Sequence, residues 1–600
     1  MHCLPILAVV AGVGGISACA AEPGVSYTVH LDRVQSQVLR IDATVHDPER
    51  EVEFVLPVWR PGRYGILDFA STVRRWRAFD ESGNELSVAK SRKNAWTVES
   101  NGAGEVTLSY EIYANSLGDR TRHADDSHVY IDGSSVFVMD PSHRDDEHEV
   151  RFEGRAEWDI ASGLEQSNRT LTAATYDVLV DSPIEIGEHR SLSFEVRGVP
   201  HEIVIWGRCD RSDDELIDSF SKIIDAETDV FGMMPYERYV FLIHSYPGGG
   251  GGTEHLNSTI MQTDPSSFES DSAYRGFLSL VSHEFFHTWN VKHFRPAGIT
   301  PYDYDRENYS TQLWVAEGCT SYYDDLILAR TGQRTVRNYL DAIAGTIGSV
   351  RSSPARSKIS LAQSSFDAWL KFWGPSSPDH RNTTVNIYSQ GHITTLALDM
   401  LIRRNTQGQR SFDDVMRRMN ERYTVDRGGY TPEQFLETVS EVAEMDLSDF
   451  FHQHIDGVEP LPLEDLLLTV GLELRVKDPE PEPYSGMSLR ERDGKTTISS
   501  LRDDGPAFAV GFNVGDEIVS INGERADPDA FEDFIDDAAP GEGCIVGFFR
   551  RGRYRELELR PVWRVAHRYR LEFVEDPSVD QQDQFERWIG QPWPEDDDSE

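Results

Sequence analysis

Val281-Ser282-His283-Glu284-Phe285-Phe286-His287-Thr288-Trp289-Asn290 decides how the chain reads. It holds the pattern H-E-x-x-H in a stretch of helical character, and on a helix residues four apart lie one turn above each other. His283 and His287 therefore aim both imidazoles at one point, the spacing a zinc ion requires, with Glu284 beside them as general base. A catalytic zinc also needs a third protein ligand and an open position. The sequence offers two candidates. His293 stands six residues after His287, where H-E-x-x-H-x-x-G-x-x-H sites take a third histidine, but Asn290 replaces the turn glycine of that pattern. Glu317 lies in Leu313-Trp314-Val315-Ala316-Glu317-Gly318-Cys319-Thr320-Ser321-Tyr322-Tyr323, an apolar stretch expected to form a second helix against the first. The missing glycine favours Glu317 and a His2Glu site.

Working outward, residues 22–199 alternate apolar and polar positions in short runs, such as Tyr27-Thr28-Val29-His30-Leu31 and Leu192-Ser193-Phe194-Glu195-Val196, which predicts a β-sandwich-like domain. Residues 200–460 open with strand and helix patterns and a glycine run, Gly248 to Gly252, then continue as mostly helical sequence. Glycines let a backbone approach a ligand and pair with it as a strand does; no Gly-Lys-Ser/Thr follows, so phosphate binding is disfavoured. Pro460 and Pro462 mark a boundary, and residues 464–565 read as a small β-rich module, with Val470-Gly471-Leu472 as a candidate carboxylate-binding loop. Residues 566–600 are expected to be an acidic tail.

Several segments resemble the glycyl aminopeptidase family of gluzincin metallopeptidases. The H-E-x-x-H stretch with Trp314-Val315-Ala316-Glu317-Gly318 is similar to that family's metal site. Pro57-Val58-Trp59-Arg60-Pro61-Gly62-Arg63-Tyr64 resembles its N-terminal signature, Gly251-Gly252-Thr253-Glu254-His255 its Gly-Gly-x-Glu-His segment, and Tyr388-Ser389-Gln390-Gly391 the Tyr-x-x-Gly of gluzincin aminopeptidases. Gly505-Pro506-Ala507 and Gly511 to Gly523 resemble a PDZ domain. The resemblance implies a multidomain α+β chain: an N-terminal β-sandwich-like domain, a thermolysin-like, mostly helical catalytic domain and a C-terminal PDZ domain. It implies that Glu254 sits on an edge strand and pairs with the substrate's α-amine. Tyr388 would donate a hydrogen bond to the oxyanion, a role for which Tyr322 and Tyr323 compete.

Composition bounds the partners. With 58 basic against 102 acidic residues the formal charge is −44, which argues against nucleic-acid or anionic-membrane binding through a basic surface. Residues 1–21 read as a secretory signal: an apolar run too short to span a bilayer, then Ile16-Ser17-Ala18-Cys19, which resembles a lipobox with Cys19 as the lipidated residue, simple cleavage after Ala18-Cys19-Ala20 being the alternative. That places the protein in the periplasm or cell envelope, with the membrane reached only through the lipid. Cys209, Cys319 and Cys544 define neither a disulfide framework nor a thiolate metal site. The expected function is a zinc aminopeptidase with one Zn2+ per chain, acting on peptides with small N-terminal residues, Gly or Ala. The alternatives are a metalloendopeptidase and a PDZ-based peptide-binding envelope protein whose zinc is structural.

Overall fold

A computed structural model describes residues 23–371 and 377–594. The signal and lipobox assignments, and the acidic end from Glu595 to Glu600, lie outside the described residues. Among the described residues, no helix is long and apolar enough to cross a membrane.

The N-terminal part is built of sheets, as the alternation predicts. Val25–His30 buries Val25, Tyr27 and Val29 on one face and pairs antiparallel with Val38–His46 and parallel with His148–Glu153 within an eight-stranded sheet. A three-stranded and a four-stranded sheet share its core, the latter containing the hairpin Arg122–Ala124 and His128–Ile131. The boundary expected at residue 199 falls inside another hairpin. Strand β1 (Arg190–Val196) turns through Arg197 and Gly198, both at positive φ, and pairs with β2 (Val199–Gly207). Leu192 and Phe194 therefore belong to the sheet that supports the site.

That sheet has five strands in the order β1-β2-β3-β5-β4, where β3 is Tyr239–Ser245, β4 is Gly250–Glu254 and β5 is Ser258–Thr263. The glycine run thus forms the edge strand, antiparallel to β5. Helix α1 (Asp213–Phe231) starts at a Ser212/Glu215 capping box and stops at Gly232 in the left-handed region. Helix α2 (Asp271–Phe286) starts at Ser270 and carries His283 and Glu284 in its last turn. Helix α3 (Leu313–Arg330) is apolar nearly all round and is enclosed by its neighbours, which is where such a helix is stable. Helix α4 (Ile387–Asn405) crosses it closely: a Cβ on Gly318 would stand 2.4 Å from Gly391 Cα, so both crossing points must be glycine. Gly391 is the last residue of the Tyr-x-x-Gly segment, and this contact explains its place there.

The C-terminal part departs from two expectations. Residues Met487–Leu559 form a β-rich module with two short helices and a core of their own, including Ile498, Phe512, Ile518, Phe531, Val546 and Phe548. Val470 and Leu472, the candidate carboxylate loop, are instead fully buried in the main core, and Gly471 lies under Trp593. Residues 566–594 are not a tail. Tyr569–Phe573 pairs with Leu472–Val476, and helix Val579–Ile589 buries Phe585, Trp588 and Ile589 on one stripe against the catalytic core. The acidic composition masked that stripe, which recurs at helical spacing.

Candidate active site

The two histidines, the glutamate of α3 and the edge strand converge on a cleft of about 460 Å³. His283 lies within α2, while His287 is its C-cap and still has right-handed helical geometry, so the one-turn spacing is preserved. The two Nε2 atoms are 3.2 Å apart, and Glu317 Oε2 stands 3.4 Å from His287 Nε2 and 3.8 Å from His283 Nε2. Each ring is held from behind. His283 Nδ1 donates to Asp324 Oδ2 (3.2 Å) and His287 Nδ1 to Asn290 O (2.8 Å). These bonds fix the tautomers that leave both Nε2 lone pairs for a metal, and the two imidazoles and one carboxylate are a zinc-type donor set. The residues present fit such an ion.

His293 points elsewhere: its Nδ1 meets Asn420 Oδ1 at 2.6 Å. The chain reverses after His287 at Val291, whose φ of 137° is a strained conformation for a β-branched residue, and not at Asn290. Asn290 has another task. Its amide donates to Val315 O (2.9 Å) and Ala316 O (3.1 Å), so it ties the end of α2 to α3 immediately before Glu317.

Glu284 and Glu254 face the same cleft. An oxygen of each and a nitrogen of His287 lie within 4.8 Å of one another. Strand β4 lies directly over Glu284, and a Cβ on Gly252 would stand 2.5 Å from its Oε1 and 2.7 Å from its Cδ. Gly252→Ala should therefore displace the Glu284 carboxylate while leaving His283, His287 and Glu317 untouched. Because a misplacement of about 1 Å can cost on the order of 10²-fold, kcat is expected to fall by ~10² with metal content unchanged. Steady-state kinetics and metal analysis of that one variant decide it; an unaltered kcat would show that the close approach has no bearing on Glu284.

Burial first of all, and then the Glu254 carboxylate, push the Glu284 carboxyl up to about 7 against the opposing pull of His283 and His287. Tyr388 occupies the first turn of α4, where the Asn386 side chain caps the helix by accepting from its amide. Its ring stacks on His283 with centroids 6.0 Å apart. Burial, reinforced by Glu317, holds its phenol well above the usual range, so it stays a proton donor. Tyr322 and Tyr323 are buried and donate to Asp399 and Asp413, away from the cleft.

The N-terminal signature proves to be a brace. Trp59 Nε1 donates to Asp303 O (2.6 Å), and the buried Arg60 pairs with Asp132 at 2.9 Å. Arg60 also lies 3.4 Å from His255 Nε2, and His255 shares Asp181 with Lys292. Gly62 sits against Glu254, where a Cβ would stand 2.8 Å from Oε2. Two neighbours went unread in the sequence. Asp324 lies seven residues after Glu317, on the same face of α3, and that spacing was a usable signal. Arg120, which donates to Gly252 O at 3.2 Å, gave none, since its partner is 132 residues away.

Fold and site together define a metallopeptidase of the aminopeptidase class. Residues 26–188 match the Peptidase M61 N-terminal domain and residues 276–394 match M61 glycyl aminopeptidase. A crystal structure of an aminopeptidase N family protein from Idiomarina loihiensis is 26% identical, covers 94% of this chain and 100% of its own, and superposes with a TM-score of 0.86. An M1 zinc metallopeptidase from Deinococcus radiodurans is 15% identical over 73% of this chain and 94% of its own, with a TM-score of 0.45. No curated protein matches the sequence.

Proposed function

We propose that the protein is a zinc aminopeptidase that removes small N-terminal residues, glycine or alanine, from peptides. The observation that carries this reading is the approach of Glu254 to within 4.8 Å of the Glu284 and His287 ligand atoms. A free α-amine and its own carbonyl lie within one residue, ~3.5 Å of chain, so a carboxylate anchored that near the metal ligands selects the first peptide bond. The preference for glycine rests on the likeness to M61 glycyl aminopeptidases.

His283, His287 and Glu317 hold the ion. When bound, zinc supplies Lewis-acid polarisation of water and of the scissile carbonyl. Edge strand β4 offers backbone groups of Gly250 and Gly251, both exposed, for strand-like pairing with the peptide. Glu254 accepts from the substrate's ammonium. Glu284 takes a proton from the attacking water and returns it to the leaving amine. Tyr388 donates to the oxygen that becomes negative. The module around Gly511 to Gly523 is proposed to be a PDZ domain that takes an extended peptide C-terminus, and the leader with Cys19 to deliver the enzyme to the cell envelope.

Glu254→Gln tests the assignment. Losing one partner of a buried charged pair costs about 2–5 kcal/mol, so kcat/KM for a glycyl anilide should drop by roughly 30-fold to several thousand-fold. Metal content should not change. A variant that keeps the parent kcat/KM on free-amine substrates removes Glu254 from amine recognition and reopens the endopeptidase alternative.

A further inference from the structure

A second cluster of metal-type ligands lies in the N-terminal part, on the hairpin Arg122–Ala124 and His128–Ile131. One ligand atom each from His123, Asp125 and His128 lies within 4.8 Å of the others. His128 is fully buried, with Trp206 stacked on its ring at 3.7 Å between centroids. Its Nδ1 is committed to Glu185 Oε1 (2.9 Å), and Glu185 Oε2 meets His244 Nε2 (2.9 Å). That leaves His128 Nε2 buried with no hydrogen-bond partner, and His123 Nδ1 is in the same state. The rings of His123 and His128 face one another at 5.0 Å. A buried imidazole nitrogen without a partner, His128 Nε2, beside a second imidazole and a carboxylate is an unfavourable arrangement for a core and a natural one for a cation.

We propose that His123, Asp125 and His128 bind a second divalent transition-metal ion, zinc by donor type. The surroundings are those of a built site. A histidine ligand usually donates its other ring N–H to a carboxylate, and Glu185 stands in that position behind His128. Because Glu185 meets His128 at Nδ1, the ring nitrogen turned away from Nε2, it serves as the outer support and not as a ligand. Asp125 is aimed by its own loop: Oδ1 accepts from Ser127 N, Ser127 Oγ and His128 N, while Oδ2 faces His123 Nε2 at 3.0 Å. The Asp125 side chain is 35% exposed, which gives the ion an entry path and its fourth position a water. Two imidazoles and one carboxylate suit zinc better than calcium or magnesium.

The site is separate from the catalytic one but reaches it through the chain. Tyr130, on the same hairpin, donates to Asp119 O (3.1 Å), and Asp119 Oδ2 accepts from Thr253 Oγ1 (3.0 Å) on β4. With Arg120 on Gly252 O, this loop holds the strand that carries Glu254. The ion would thus stiffen the support of the edge strand.

The test is metal counting on the full chain, with Co2+ as probe. A His283→Ala/His287→Ala double variant, which lacks the catalytic ligands, should still take up about one Co2+ per chain, with the d–d absorption of a nitrogen-and-oxygen site. Adding His123→Gln, or separately Asp125→Ala, should abolish that uptake, with circular dichroism confirming that the variants stay folded. The unaltered protein should then hold about two ions. The proposal is overturned if the folded double variant takes up no Co2+, or if its Co2+ survives both further substitutions. Neither result bears on the catalytic assignment.

Discussion

Glu284→Gln is expected to leave the metal in place and to lower kcat on a glycyl anilide by about 10³–10⁴-fold, at the upper end of what a general base contributes. Gln fills the same volume under β4, so the change removes the proton acceptor and nothing else nearby. The wild-type pH profile should show the same residue. Burial and the adjoining Glu254 raise the Glu284 carboxyl to about 7, and only its ionised form accepts a proton. Activity therefore rises with pH through an acid limb and is lost as Glu284 protonates below it. A bound dication beside the carboxylate favours its charged form and moves that limb to lower pH than 7. In the Gln variant the residual rate should lack the limb. Retention of the limb at full amplitude would mean that another group is the base.

Glu317→Ala is the second large effect, and it acts on metal binding itself. Loss of an outer-shell partner typically costs 10–100-fold in metal affinity. Removing a direct ligand should cost more, taking activity to background at micromolar zinc. Burial alone would raise the Glu317 carboxyl, but the adjoining His283 and His287 prevail and hold it down to about 2. It is thus charged at every working pH, as a ligand must be. His293→Ala provides the contrast. Its side chain is engaged by Asn420 and not by the cluster, so metal content should be unaffected. Dialysis against a competing chelator, followed by metal analysis of both variants, compares the two third-ligand candidates in one experiment.

Much of the site was legible because its spacing is local. H-E-x-x-H spans one helical turn, and Glu317 follows on the next long apolar stretch. The family resemblance implied that the glycine run lies on an edge strand, and the sheet order places it there. The long-range parts were not legible. Nothing in Pro57–Tyr64 announces that Arg60 is buried against Asp132 and His255, because those partners are far away in the chain. Asn290 looked like a failed turn glycine and is instead the clamp between the helices that carry His283 and Glu317, a role set by the packing of α2 on α3. The C-terminal error has a different origin. Composition marked residues 566–600 as acidic, yet Phe585, Trp588 and Ile589 form a stripe that outweighs the charge. Trp588 even donates to Tyr322, on the helix that carries Glu317 (2.8 Å). The β1/β2 hairpin shifts the first boundary because Arg197 and Gly198 make a tight turn where a linker was expected.

The most direct measurement is hydrolysis of glycyl and alanyl anilides and their N-acetylated counterparts by the purified full chain, before and after chelation and after zinc is restored. Cleavage of the free-amine substrates alone, abolished by the chelator and recovered with zinc, is the predicted result. Cleavage of the acetylated substrates at a comparable rate, or activity indifferent to chelation, would contradict the account.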